Sequence, residues 1–143
     1  MPKVLFVCTH NSARSQMTEA YLKKIAGDKF EVESAGIEAG KLNPFVVRAL
    51  AEEGIDISGK QTQSAFDLLK KGRMYNFVIA VCSKEAADRC PIFPGRAKRF
   101  LWPFPDPATF TGSDDQIMNQ VREVRDAIKE RVEQFLREEV SLV

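Results

Sequence analysis

The feature that most constrains this chain is an eight-residue polar segment, Cys8 to Ser15, that lies between two well-defined patterns. The preceding residues, 3–7, are mostly apolar and partly β-branched, which predicts a buried strand. The following residues, 16–26, lack Gly and Pro and are rich in helix formers, which predicts a helix. A strand that leads through a tight polar turn into a helix makes an anion site. Backbone N–H groups converge there, and the helix dipole adds about half a positive charge.

The residues of this segment suit a nucleophile aimed at a phosphate-like ion. The helix end, the Arg14 guanidinium and the Ser15 hydroxyl all favour the thiolate form of Cys8 over the thiol. Arg14 also has the planar geometry to hold two oxygens of a tetrahedral oxyanion. The alternative is a buried cysteine beside a surface arginine. The predicted oxyanion-binding residues are Thr9, His10, Asn11, Ser12, Ala13, Arg14 and Ser15.

The rest of the chain alternates predicted strands and helices, which favours an α/β fold with a four-stranded parallel sheet and helices on both faces. Strands are predicted at 3–7, 30–35, 77–81 and 97–101, with 30–35 near an edge and 77–81 covered on both faces. Helices are predicted after the Asn43-Pro44 pair to 53, from the Ser64 cap to 71, at 83–89 and at 114–139. In such folds ligands bind beyond the carboxyl ends of the strands, where Cys8 and Cys82 fall.

Length and composition restrict the class of protein further. With 143 residues we expect one domain spanning 1–143, and the net charge of +1 argues against nucleic-acid binding. We find no signal-peptide core and no apolar stretch approaching the ~20 residues of a membrane span, so we expect a cytoplasmic protein without a membrane partner. Three cysteines suit catalysis or redox chemistry better than a disulfide framework. We expect a monomer.

The second and third thiols, Cys82 and Cys90, flank the predicted helix 83–89. If that helix is regular, their α-carbons lie about 12 Å apart, too far for a disulfide, so pairing requires the helix to unwind. A helix of about two turns is marginal alone, so unwinding costs little. At a strand end and near Lys84 and Arg89, the Cys82 thiol is expected to have a lowered pKa. The alternative for both is simple core packing.

Two other polar residues are candidates for the same site. Asp106 lies in a rigid apolar loop, 102–107, whose environment favours a protonated carboxyl and hence a general acid; the alternative is an Asp that opens a turn before Pro107. His10, the only histidine, would tune the thiolate or lie at the rim. A zinc site from Cys8, His10, Cys82 and Cys90 matches no common ligand spacing, so we predict no metal.

Taken together, these motifs resemble the thioredoxin-coupled arsenate reductases, which share the low-molecular-weight protein tyrosine phosphatase fold. The resemblance covers essentially the whole chain. The phosphatases share the anion loop and the Asp-Pro pair but typically lack the second and third thiols. The matching segments are residues 8–17, Ser34-Ala35-Gly36-Ile37, Asn43-Pro44, Val81-Cys82-Ser83, Cys90-Pro91, and residues 102–107 with Asp106-Pro107.

The resemblance implies a relay of thiols. Cys8 attacks arsenate held by the loop and Arg14, while Asp106 protonates the departing oxygen. Cys82 then attacks Cys8, arsenite leaves, and a transient Cys8–Cys82 disulfide forms. Cys90 converts it to Cys82–Cys90, which thioredoxin re-reduces. No resident cofactor is implied, and Ser15 and Asn11 would hold the thiolate and the loop.

The chain departs from the family pattern at two positions. Some relatives bind potassium through residues that match Asn11, Glu19 and Ser34, with an Asp where this chain has Gln63, so we expect no ion here. His10 replaces a glycine that is common in the loop.

Two other functions remain as alternatives. One is a phosphotyrosine-type phosphatase that uses Cys8, Arg14 and Asp106 with water. The other is an arsenical-binding module in which the three thiols hold trivalent arsenic without turnover.

Overall fold

The computed structural model describes residues 1–139, which form a single α/β domain around one parallel sheet. The strands are β1 (Lys3–Cys8), β2 (Glu31–Gly36), β3 (Phe77–Ala80) and β4 (Lys98–Leu101). The helices are α1 (Arg14–Ala26), α2 (Pro44–Ala51), α3 (Ala65–Lys70), α4 (Lys84–Ala87) and α5 (Asp114–Glu139), and a short 3₁₀ turn spans Pro107–Thr109.

The four strands lie in the order β2-β1-β3-β4, and all neighbours are parallel. The prediction of a four-stranded parallel sheet is therefore confirmed, as is the edge position of β2. Because β1 is central and its register sets Val7 beside Ala80 of β3, the residues that follow these strands emerge side by side. This order brings the polar turn after β1 next to the chain that leaves β3.

Helices cover both faces of the sheet, as the alternation of elements predicts. Alternate residues of β1 point to opposite sides: Phe6 belongs to the large core cluster that α1, α2 and α5 cover, whereas Leu5 belongs to a smaller cluster with α3. In β3, Ile79 faces the first cluster and Val78 the second, so this strand is buried on both faces as expected.

The structure corrects the length of one predicted helix. The segment 83–89 is not a regular two-turn helix: α4 covers only Lys84–Ala87, and the chain leaves it through tight turns in which the Arg89 and Cys90 N–H groups bond three residues back, at 3.1 and 3.0 Å. The side chain of Ser83 caps α4 by accepting from the Ala86 N–H at 3.2 Å. The element that separates Cys82 from Cys90 is thus a single turn, which has little stability of its own.

None of the helices in residues 1–139 is long and apolar enough to cross a membrane.

Candidate active site

The anion loop after β1 is shaped by two residues with unusual local requirements. Asn11 has a left-handed backbone (φ 56°), a conformation that Asn tolerates better than most residues. Gly36 passes so close to the loop that an added Cβ would lie 2.6 Å from the backbone nitrogen of Asn11. The N–H groups of Ile37, Glu38 and Gly40 donate to the carbonyls of residues 8, 9 and 10 at 2.9 to 3.0 Å, which holds the loop against the neighbouring segment.

Helix α1 begins at this loop, and no side chain caps the backbone N–H groups of its first turn. Its N-cap is Ala13, which offers no side-chain cap, whereas α2, α3 and α4 are capped by Asn43, Ser64 and Ser83. The first bond along α1 runs from the Met17 N–H to the Ala13 carbonyl, so the helix itself does not use the N–H groups before Met17. A helix end of this kind is suited to an oxyanion.

The Cys8 sulfur lies at the base of the loop, within hydrogen-bond distance of two groups. The Asn11 backbone N–H donates to Sγ at 3.2 Å, and the Ser15 Oγ lies 2.9 Å from it. Cys8 is only 2% exposed. These contacts stabilise negative charge on the sulfur, which is the form that acts as a nucleophile.

Arg14 and Asp106 meet across the mouth of the loop. The Arg14 guanidinium is buried; it donates from Nη1 to the Phe104 carbonyl at 3.2 Å and from Nη2 to the Thr9 hydroxyl at 3.4 Å. Its Nη2 also lies 3.5 Å from the Asp106 carboxylate. Asp106 accepts from the Ala108 N–H at 3.0 Å, so the same side chain opens the 3₁₀ turn and reaches the site. The turn-opening interpretation of Asp106 is therefore confirmed, and its role as a general acid stays a prediction.

Cys82 lies beside this centre, beyond the end of β3. The Val81 N–H donates to the Val7 carbonyl at 2.8 Å, which extends the β1–β3 pairing and sets Val81 next to Cys8. Cys82 is fully buried and belongs to the same core cluster as Cys8.

The prediction of a lowered pKa for Cys82 is wrong. Burial raises the pKa of the Cys82 thiol above its ordinary value, although Arg14 and, to a smaller extent, Arg89 oppose the shift. The sequence showed the nearby positive charges but not the full burial, and the loss of hydration outweighs those charges.

Cys90 does not belong to the larger core cluster that contains Cys82. It packs against the smaller cluster, and burial raises its pKa to about 11. All three cysteines are free thiols. A groove of about 290 Å³ between α4 and β4 includes Cys90 in its lining. The charge of Cys82 adds to the rise in the Cys90 pKa, and the one-turn helix α4 separates the two residues along the chain.

His10 lies at the rim, half-exposed, with Nε2 3.9 Å from the Glu38 carboxylate. Among residues 1–139, no three His, Cys, Asp or Glu side chains converge as a metal centre requires. Cys8, His10, Cys82 and Cys90 form no such group in that part of the chain.

A buried polar network lies beneath the loop and includes residues that sequence analysis missed. Asn11 Nδ2 donates to Ser15 at 2.7 Å and to Ser34 at 2.9 Å, and Ser34 in turn donates to Glu19. The ammonium groups of Lys23 and Lys60 both bond Glu19. Lys23 could have been found from its i,i+4 spacing to Glu19, whereas nothing in the sequence points to Lys60.

The residues that match the potassium ligands of some relatives do not suit a potassium ion in this protein. The Glu19 charge is already matched by two ammonium groups, and Asn11 Oδ1 accepts from the Gln63 N–H at 3.0 Å and from Gln16 at 3.2 Å.

Comparison with known proteins gives consistent matches. A family model described as low molecular weight phosphotyrosine protein phosphatase matches residues 3–142. A curated arsenate reductase from Bacillus licheniformis is 45% identical over 134 residues, which cover 92% of this chain and 93% of that protein. A solved structure described as an arsenate reductase in the oxidized state superposes with a TM-score of 0.81 at 30% identity, covering 96% of this chain and 98% of the other. A structure described as an arsenate reductase in the phosphate binding state gives 0.73 at 31% identity with the same coverage.

Proposed function

Because this chain belongs to the low molecular weight phosphotyrosine protein phosphatase family, we propose that it uses the family's oxyanion site to reduce arsenate to arsenite. The observation that carries the proposal is the placement of a second buried thiol, Cys82, beside Cys8 and within the electrostatic reach of Arg14. A phosphomonoesterase has no need of such a thiol, whereas a thiol relay does. The related arsenate reductases from two Bacillus species support the same substrate.

In the proposed first step, the Cys8 thiolate attacks arsenic(V). The backbone N–H groups at the start of α1 and the Arg14 guanidinium hold the arsenate oxygens. The positive charge of these donors stabilises the negative charge that builds up on the oxygens during the attack. Asp106, 3.5 Å from Arg14, gives its proton to the departing oxygen, so that water leaves and a Cys8–arsenic bond forms.

In the second step, Cys82 attacks the sulfur of Cys8. The electron pair of the sulfur–arsenic bond goes to arsenic, which becomes arsenic(III) and leaves as arsenite, while Cys8 and Cys82 form a disulfide. The raised pKa of Cys82 means that its proton has to be removed as it attacks. Arg14 lowers that cost because its positive charge favours the thiolate.

In the third step, Cys90 attacks Cys82 and releases the Cys8 thiolate. We expect α4 to unfold as Cys90 approaches Cys82, because the two thiols start against different core clusters. An external dithiol, thioredoxin by analogy with the family, then reduces Cys82–Cys90 and restores both thiols. The enzyme therefore needs this partner for repeated turnover and no resident cofactor.

Phosphatase activity is a second candidate function, favoured by the pairing of Arg14 with Asp106 over the Cys8 loop. Substitution of either relay thiol separates the two. We expect Cys82→Ser and Cys90→Ser to lose thioredoxin-coupled arsenate reduction while retaining hydrolysis of p-nitrophenyl phosphate. Cys8→Ser is the matched control and should lose both. Arsenate turnover that persists in Cys82→Ser would contradict the proposal.

A further inference from the structure

The most completely buried carboxylate near the site belongs to Glu19, which touches neither the loop nor the sulfur. It is 3% exposed, and its Oε2 accepts from Lys60 Nζ at 2.8 Å and from Lys23 Nζ. Burial raises the pKa of Glu19, but hydrogen bonds from Lys23, Lys60 and Ser34 outweigh it and leave the pKa below its usual value. Glu19 is therefore a carboxylate that stays ionised inside the protein because ammonium groups reach it.

The other oxygen of Glu19 starts a chain of hydrogen bonds that ends at the nucleophile. Ser34 donates its hydroxyl to Glu19 Oε1, so its oxygen accepts from Asn11 Nδ2 at 2.9 Å. The second Nδ2 proton of Asn11 goes to Ser15 Oγ at 2.7 Å. Because Ser15 accepts that proton, its own hydroxyl is available to donate to Cys8 Sγ at 2.9 Å.

The donor-to-acceptor direction of these hydrogen bonds is fixed by groups at both ends of the series. The Gln63 backbone N–H can only donate, and it donates to Asn11 Oδ1 at 3.0 Å, which fixes the amide so that Nδ2 faces the two serines. The ionised Glu19 can only accept, which fixes the Ser34 hydroxyl. Every hydrogen bond from Glu19 to the sulfur therefore favours the thiolate.

We infer that Lys60, together with Lys23, is a positioning residue for the Cys8 nucleophile, acting through the chain Glu19–Ser34–Asn11–Ser15. The inference rests on the proposed role of Cys8. Without the ammonium groups a buried Glu19 takes up a proton and becomes a donor itself. The Ser34 hydroxyl is then free to turn, Asn11 loses a fixed partner, and Ser15 no longer has to donate to the sulfur.

Lys60 comes from a loop 41 residues away from Glu19 in the chain, and its side chain is 38% exposed. It also lines a cavity of about 410 Å³ beside α1, together with Lys24. Lys24 provides a matched control, because its Nζ donates at 2.7 Å to the Glu53 backbone carbonyl and not to Glu19.

The test is the pH dependence of Cys8 alkylation by iodoacetamide, with Cys8 as the single thiol in a Cys82→Ser/Cys90→Ser protein. We expect Lys60→Met to raise the pH midpoint by about half to one unit, which slows alkylation about 3- to 10-fold below the midpoint. The double change Lys23→Met/Lys60→Met should raise it further. Lys24→Met should leave the midpoint in place, and Lys60→Arg, which keeps the cation, should restore it.

A second measurement separates the hydrogen-bond chain from a direct effect of the lysine charge. Ser34→Ala breaks the chain between Glu19 and Asn11, so Lys60→Met should cause no further shift in that background. An unchanged midpoint in Lys60→Met, or a shift that persists in the Ser34→Ala protein, would overturn the inference. Because alkylation needs no arsenate, these results remain distinct from a failure of the proposed reductase activity.

Discussion

The cap of α4 provides a quantitative test of how Cys90 becomes available. Burial raises the pKa of this thiol to about 11 from 9.0, so near neutral pH the closed conformation holds about a hundredfold less thiolate than an ordinary cysteine would. Opening of the α4 segment removes this burial, so we expect it to speed the reaction at Cys90. The side chain of Ser83 caps α4 through its bond to the Ala86 N–H at 3.2 Å.

Replacement of Ser83 by Ala removes this cap and should destabilise α4 by about 1 kcal/mol. If opening is fast relative to alkylation, the open population rises about fivefold, and so does the rate of Cys90 modification. The assay is iodoacetamide labelling at pH 7.5, read by mass spectrometry, in a Cys8→Ser/Cys82→Ser background. Ser113→Ala is the control, because Ser113 caps a helix start elsewhere by accepting from the Gln116 N–H at 3.2 Å. Equal rates in the two variants would refute the reasoning that α4 controls access to Cys90.

Three further predictions follow from the same geometry. Asp106→Asn should lower arsenate turnover by about 10²- to 10⁴-fold, because the carboxyl beside Arg14 no longer supplies a proton; steady-state rates at saturating arsenate check this, and a loss below tenfold would contradict it. Phe135→Ala should destabilise the fold by about 3 to 5 kcal/mol in urea denaturation, since the ring is 2% exposed and contacts four other aromatic rings; a loss under 1 kcal/mol would show that the cluster repacks. Because the folded-state pKa of Cys90 is raised, its contribution to stability is present below about pH 9 and is lost as the pH rises towards about 11. The urea midpoint of the Cys90→Ser protein should therefore fall less steeply with pH over that range than the midpoint of the unchanged protein. An equally steep fall in both proteins would contradict the assignment.

Much of the fold could be predicted because its signals are local. The apolar run that ends at Cys8, the polar turn and the uncapped start of α1 all lie within one continuous stretch, so the nucleophile and the anion loop follow from neighbouring residues. The buried strand at 77–80 and the long amphipathic helix 114–139 are equally local patterns.

The properties that sequence analysis missed depend on contacts between distant segments. The pKa of Cys82 was predicted in the wrong direction because charge near a residue is visible in the sequence, whereas complete burial is a property of the assembled core. The shortness of α4 has the same origin, since the turns at Arg89 and Cys90 bring Cys90 against a cluster built from β1, α3 and β3. Lys60 reaches Glu19 from a loop that no local pattern links to α1.

If an oxidation received by Cys8 passes to Cys82 and then to Cys90, a single turnover leaves a defined disulfide in the protein. The fully reduced protein is allowed one turnover with arsenate in the absence of any external thiol, then quenched, alkylated and mapped by mass spectrometry. We expect release of arsenite, a Cys82–Cys90 disulfide and an alkylated Cys8. Three alkylated cysteines, with no arsenite released, would contradict it.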